Sequence, residues 1–135
     1  MTVFILDSYA LLAYLEGEEG ADKVKNFLVE AASGTSRTLL SLINLGEVVY
    51  ITERERGLTN ALEVLALVEQ LPLEILPVDR QTVLEAAHLK AHYPIAYADA
   101  FTIAAAQAHG GLIVTGDPEF KVVSELVRIE WLNGD

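Results

Sequence analysis

Four carboxylates stand in apolar company where an acid has no ordinary structural reason to be: Asp7, Glu47, Asp99 and Asp117. Asp7 ends the run Val3-Phe4-Ile5-Leu6, and Glu47 lies inside Ser41-Leu42-Ile43-Asn44-Leu45-Gly46-Glu47-Val48-Val49-Tyr50. Asp99 interrupts Ala96-Tyr97-Ala98-Asp99-Ala100-Phe101, and Asp117 follows Leu112-Ile113-Val114-Thr115-Gly116. Burying an unpaired carboxylate is expensive, and no Lys or Arg lies close in sequence to the first three. If the fold gathers the four, a divalent cation is the natural counter-charge. Mg²⁺ takes an octahedral oxygen shell and keeps several waters, so a few carboxylates and a phosphate oxygen suffice to hold it. Such an ion activates water for in-line attack on a phosphodiester, and a second one stabilises the leaving oxygen.

A scaffold must bring positions 7, 47, 99 and 117 together. Residues 2–6 read as a buried strand: short, continuous, apolar and β-branched. Helices follow over Ser8–Leu15, broken by Gly17 and Gly20, and over Asp22–Ala32, ending near Gly34. A short strand is expected at Thr38–Ser41, then a helix from Ile43 to Arg56 stopped by Gly57. The helix Thr59–Leu71 is strongly apolar and closes at Pro72; Leu73–Val78 reads as a strand. Asp79 caps a helix running to about His92, and Pro94 separates it from the alanine-rich helix 96–109. Gly110-Gly111 stops that helix, residues 112–115 form a buried strand, and residues 128–131 a final edge strand. Strands alternating with helices imply an α/β fold with a parallel sheet covered on both faces.

In such a sheet, ligands bind at the carboxyl ends of the strands, near the point where strand order reverses. Asp7 and Asp117 both fall at that edge. Asp99 is placed in the first turn of its helix, where the macrodipole favours an anion, and its neighbours Thr102, Ile103 and Ala106 turn it inward. Glu47, beside Val48 and Ile51, leans inward as well. Thr115 supplies a hydroxyl for a metal-bound water or a carboxylate; Ser8 does the same or caps its helix. Taken singly, Asp7 and Asp117 also suit turns or caps, a reading less open to Glu47 and Asp99.

The segments Leu6-Asp7-Ser8, Ser41 to Val48, Tyr97-Ala98-Asp99-Ala100-Phe101 and Thr115-Gly116-Asp117-Pro118-Glu119-Phe120 resemble the four signatures of PIN-domain ribonucleases. The nearest subgroup is the VapC-type toxins of toxin–antitoxin pairs. The likeness runs over nearly the whole chain, and all four acidic positions are filled. It implies a three-layer α/β/α sandwich with a mainly parallel central sheet, as one domain over residues 1–135. It also implies endoribonuclease activity dependent on Mg²⁺ (or Mn²⁺), with Asp7, Glu47, Asp99 and Asp117 as metal ligands. RNA substrate, a cognate antitoxin with a basic tail, and a homodimer are the partners it implies.

Bulk composition sets the frame. Just over half of the 135 residues (52%) are apolar and 21% are charged, which fits a folded globule. The absence of cysteine excludes disulfides and thiolate metal sites and fits the cytoplasm. The start Met1-Thr2-Val3-Phe4-Ile5-Leu6 lacks a basic flank and is cut off by Asp7, so neither a signal peptide nor a membrane span is expected. A net charge of −11 argues against a broad basic face for nucleic acid. It favours a basic protein partner instead. The breadth of the apolar arc on helix 59–71 (Leu62, Val64, Leu65, Leu67, Val68, Leu71) is what suggests a dimer.

Other signals are weaker. His88 and His92 have a metal-binding spacing but lack the Glu of a zinc-protease motif and an adjacent acidic ligand, so they read as a solvent-facing pair. Glu53-Arg54-Glu55-Arg56 reads as solvated surface. A receiver-type signalling domain would need adjacent acids after the first strand and a phosphoacceptor Asp on a central strand, whereas Asp7 stands alone and Glu47 is on a helix. A PIN-like binding module without catalysis remains the other alternative.

Overall fold

The computed structural model describes residues 1–133. Its elements, in chain order, are β1 (Thr2–Leu6), α1 (Ser8–Glu16), α2 (Ala21–Ala32), β2 (Ser36–Ser41), α3 (Leu42–Arg56) and α4 (Leu58–Glu69), followed by β3 (Glu74–Leu76), α5 (Arg80–His92), α6 (Tyr97–His109), β4 (Leu112–Thr115) and β5 (Arg128–Trp131). A 3-10 helix, Pro118–Val123, lies between β4 and β5. The sequence reading contains every strand and α-helix; the 3-10 helix is the one element it left out. β2 begins two residues earlier than expected, where Arg37 meets Glu74 of β3 in a 2.7 Å ion pair. β3 is trimmed to three residues between Pro72 and Pro77, which cannot donate to a ladder.

The five strands form one sheet in the order β3-β2-β1-β4-β5, and every neighbouring pair is parallel. This is not the 2-1-3-4-5 order of a flavodoxin-like receiver. The chain winds outward from β1 through β2 to β3, then jumps back to β4 on the other side of β1. The reversal therefore falls between β1 and β4.

Strand alternation divides the core in two. Ile5, Leu39 and Ile113 face α5 and α6, packing with Ala86, Leu89, Phe101, Ile103 and Phe120. Phe4, Leu6, Leu40 and Val114 face the other way, against Ala10 and Leu11 of α1, Val24 and Leu28 of α2, Val48 of α3 and Val68 of α4. The result is a three-layer α/β/α sandwich. No described helix is long and apolar enough to cross a membrane.

Candidate active site

Asp7 leaves β1 on the α6 side, two residues beyond Ile5. Its extended backbone caps α1: one carboxylate oxygen accepts from the N–H of Ala10 at 2.8 Å. The other accepts from the hydroxyl of Thr115 on β4 at 2.5 Å. The cap reading of Asp7 is thus correct, and it coexists with a place in the acidic cluster. The residue is 2% exposed, and burial, reinforced by the charges of Asp99 and Asp117, pushes its carboxyl up to about 7 against the two hydrogen bonds.

Thr115 serves two acids. While donating to Asp7, its hydroxyl accepts from the backbone N–H of Asp117 at 3.0 Å. Asp117 in turn caps the 3-10 helix through the N–H of Glu119 at 2.9 Å, with Pro118 in the first position, where a missing donor costs nothing. This tight turn brings Glu119 back toward the sheet edge. Carboxylate oxygens of Asp99, Asp117 and Glu119 all lie within 4.8 Å of one another. Asp99, in the first turn of α6, has its carboxyl pushed up to about 7 by burial and then by the charges of Asp117, Glu47 and Glu119. Asp7 and Glu47 stand outside that tight trio yet close enough for their charges to be felt.

Glu47 is half-buried on α3, and its element is fixed by a polar bond set in the core. Asn44, fully buried, donates from its amide nitrogen to the hydroxyl of Ser8 at 3.0 Å. Its amide oxygen accepts from the hydroxyl of Thr102 at 2.8 Å, and Ser8 donates back to the Asn44 carbonyl at 3.3 Å. Ser8 adjoins Asp7, Asn44 precedes Glu47 by one helical turn, and Thr102 follows Asp99 by one turn. One buried amide therefore joins the three elements that carry Asp7, Glu47 and Asp99. Ser8 spends its hydroxyl here and is not the helix cap.

Two residues escaped the sequence reading. Glu119 lies within the last of the four motifs, and the sequence signal for its role is the capping geometry of Asp117-Pro118-Glu119. Asn44 offered the same anomaly as Glu47, a polar side chain in an apolar helical run, and it needed the same question about a partner.

The donors gathered here are carboxylate oxygens with hydroxyls behind them, a hard set suited to Mg²⁺ or Mn²⁺ and unsuited to a thiophilic ion. The raised carboxyls of Asp7 and Asp99 follow from burial first and from the neighbouring acidic charges second. His88 and His92 are exposed on α5, their rings 4.7 Å apart. They border a groove of about 1190 Å³ between α5 and α6, which none of the five acids lines.

The PIN domain family model matches residues 4–126. Among solved structures, the chain is similar to a DNA-bound VapBC from Salmonella typhimurium, with 23% identity, TM-score 0.76, and coverage of 98% of this chain and 100% of that one. It is also similar to VapBC2 from Rickettsia felis bound to a DNA fragment from their promoter, with 17% identity, TM-score 0.76 and coverage of 98% and 100%. A third is the sarcin-ricin loop cleaving toxin VapC20 from Mycobacterium tuberculosis, with 17% identity, TM-score 0.70 and coverage of 90% and 95%. Among curated protein sequences, none matches. With the acids assembled at the reversal point of a five-stranded parallel sheet, and the family match running from β1 past the 3-10 helix, this chain belongs to the PIN domain family.

Proposed function

We propose that the protein is a divalent-metal-dependent endoribonuclease, the toxin of a toxin–antitoxin pair acting in the cytoplasm. The observation that carries this reading is the convergence of Asp99, Asp117 and Glu119, with Asp7 and Glu47 beside them, at the carboxyl edge of a PIN-family sheet. Asp7, Glu47, Asp99 and Asp117 are the proposed ligands for Mg²⁺ or Mn²⁺, and Glu119 joins them. When bound, the ion neutralises phosphate charge and lowers the pKa of water.

The chain's own groups do the rest. Thr115 and the Ala10 N–H hold both oxygens of Asp7 in place. Asp7 and Asp99, each raised to about 7, part with a proton near neutrality when a cation arrives. Each keeps a free lone pair for it. No side chain need form a bond to phosphorus.

Partners follow from surface chemistry and from the relatives, which include VapBC complexes. A cleft of about 250 Å³ between α1 and α3 is lined by Leu12, Ala13 and Ile51 together with Glu16, Glu18, Glu19 and Glu55. That composition suits a basic, partly apolar antitoxin tail. On α4, Leu58, Leu62 and Leu67 are 57%, 54% and 48% exposed, which supports a homodimer.

Purified protein should cut a structured RNA with Mg²⁺ or Mn²⁺ and stop in EDTA. Asp99→Asn should abolish cutting and keep the fold. Undiminished cutting in EDTA sinks the metal reading, and wild-type activity in Asp99→Asn removes Asp99 from it.

A further inference from the structure

We propose that the pocket at the carboxyl end of β5 is a nucleotide subsite, in which Trp131 stacks on a base next to the bond to be cut and Lys121 meets that nucleotide's phosphate. This rests on the nuclease reading and adds to it a place for the substrate beyond the acids. The pocket is about 360 Å³ and is lined by Gly116, Pro118, Lys121, Trp131 and Asn133. That size lies at the small end of ligand pockets, which run roughly 300–1,000 Å³. Gly116 and Pro118 are the two chain neighbours of Asp117, so the pocket opens directly beside the carboxylate cluster.

Sheet register explains why an indole is there. Trp131 pairs with Thr115 in the parallel β4–β5 ladder. Alternation puts Trp131 on the same face as Ile129, as it puts Thr115 with Ile113 and Asp7 with Ile5. Asp7, Thr115 and Trp131 therefore form a row along the carboxyl edge, on adjacent strands spaced about 4.8 Å apart. Trp131 packs part of its ring on the core and is half-buried, so the indole is held in place while the pocket exposes the remainder. A fixed aromatic face beside a phosphodiester site suits a nucleobase, since every base has a π-face.

The charges agree. Exposed Lys121 forms no ion pair among the described residues, and of the cations so placed it is the one that lines this pocket. In a chain of net charge −11, it offers a positive charge in the wall of the pocket beside the acids, where a phosphate not held by metal would lie. Asn133 places its amide nitrogen 3.4 Å from the Gly116 carbonyl and 3.5 Å from the Tyr9 hydroxyl. Its amide oxygen, with no hydrogen-bond partner among the described residues, remains to accept from a base amino or imino group. A Cβ at Gly116 would run into the ring of Tyr9, so any larger residue in this wall would displace that exposed side chain.

Trp131 is the only tryptophan in the chain, so its fluorescence reports the pocket directly. Wild-type protein with Mg²⁺ is titrated with adenosine, guanosine, cytidine and uridine 5′-monophosphates, excited at a wavelength selective for tryptophan. Saturable quenching by at least one of them is expected, weakened several-fold by Lys121→Ala and less sensitive to salt in that variant. In parallel, Trp131→Leu should raise KM for single-stranded RNA by roughly tenfold with kcat nearly unchanged. Should Trp131→Leu fail to fold, the loss of quenching in exposed Lys121→Ala still decides the matter, and unchanged quenching there removes Lys121 from the subsite. Emission unmoved by all four nucleotides, in a protein that cuts RNA, overturns the subsite and leaves the nuclease. Quenching in a protein that never cuts keeps the subsite and overturns the nuclease.

Discussion

The hydroxyl of Thr115 donates to the buried carboxylate of Asp7 across the parallel β1–β4 boundary, the seam where the order of the strands reverses. Because that hydroxyl has one proton and gives it to Asp7, the Asp117 N–H must be the partner it accepts from. Thr115 thus fixes two acids, and its removal should show in both stability and metal affinity. Thr115→Val keeps the shape and leaves a carboxylate oxygen and an N–H without their partner. It should lose about 1–3 kcal/mol in urea unfolding and bind Mn²⁺ more weakly by titration calorimetry, while Thr115→Ser recovers most of both. Wild-type Mn²⁺ affinity in the valine variant would show that Asp7 is oriented without Thr115.

The metal-free protein should be more stable in mild acid than at neutrality. Asp7 and Asp99 have folded values raised to about 7 by burial first and neighbouring acids second, against about 4 unfolded. A raised value means that the folded state binds more protons. The contribution is full below the unfolded value and is lost as pH rises through 7. Asp79 and Glu74 are shifted down by their hydrogen bonds to Thr82 and Arg37, so their contributions fade in stronger acid. Melting temperature without metal should therefore peak between the two ranges and fall toward pH 8. Asp99→Asn should flatten that fall and melt higher than wild type at pH 8, and added Mg²⁺ should stabilise more as pH rises. A wild-type melting curve that climbs steadily from pH 5 to 8 in EDTA would contradict the sign.

Asn44 should matter more than its distance from any reaction suggests. Asn44→Ala strands the hydroxyl of Thr102 in the core, weakens the hold on Ser8 and opens a cavity. A loss of about 2–4 kcal/mol follows from the two effects together. Since the same bonds join the elements bearing Asp7, Glu47 and Asp99, Mn²⁺ affinity should drop as well, even at temperatures where the variant is fully folded. An unfolding loss with unchanged Mn²⁺ affinity would confine Asn44 to stability.

Most of this fold was legible because its elements are marked by local chemistry: β-branched runs for the buried strands, glycines and prolines at the breaks, and Asp79 at a cap. The 3-10 helix was not, because six residues with mixed exposure carry no period to detect. Asp7, Glu47, Asp99 and Asp117 were visible as acids out of place. Glu119 was hidden because an exposed glutamate after a proline is unremarkable until the turn at Asp117 folds it back. Asn44 and Thr102 pass for tolerated polar residues on helices, and only the packing of α3 against α6 and α1 reveals them as partners.

The acid-lined cleft between α1 and α3 yields the last prediction. The carboxyl of Glu16 is raised above the usual range by neighbouring Glu18 first and by burial second, while Arg56 at 3.3 Å counters the repulsion of Glu18 and Glu55. Glu19 and Glu55 add to the same negative field around Leu12, Ala13 and Ile51. A peptide bringing Arg or Lys relieves that repulsion, and an Arg can bridge two carboxylates at once. Tyr9 lines this cleft and also stands against Gly116, so a tail seated there extends toward Asp117. Binding of a basic antitoxin tail should therefore weaken as salt is raised from 50 to 500 mM. Glu16→Gln with Glu18→Gln should weaken it several-fold at low salt, and little at high salt, where the charges are screened. RNA cleavage by that double variant should persist but resist inhibition by the tail. Inhibition equal to wild type at low salt would place the tail elsewhere on the protein and leave these glutamates as ordinary solvated surface.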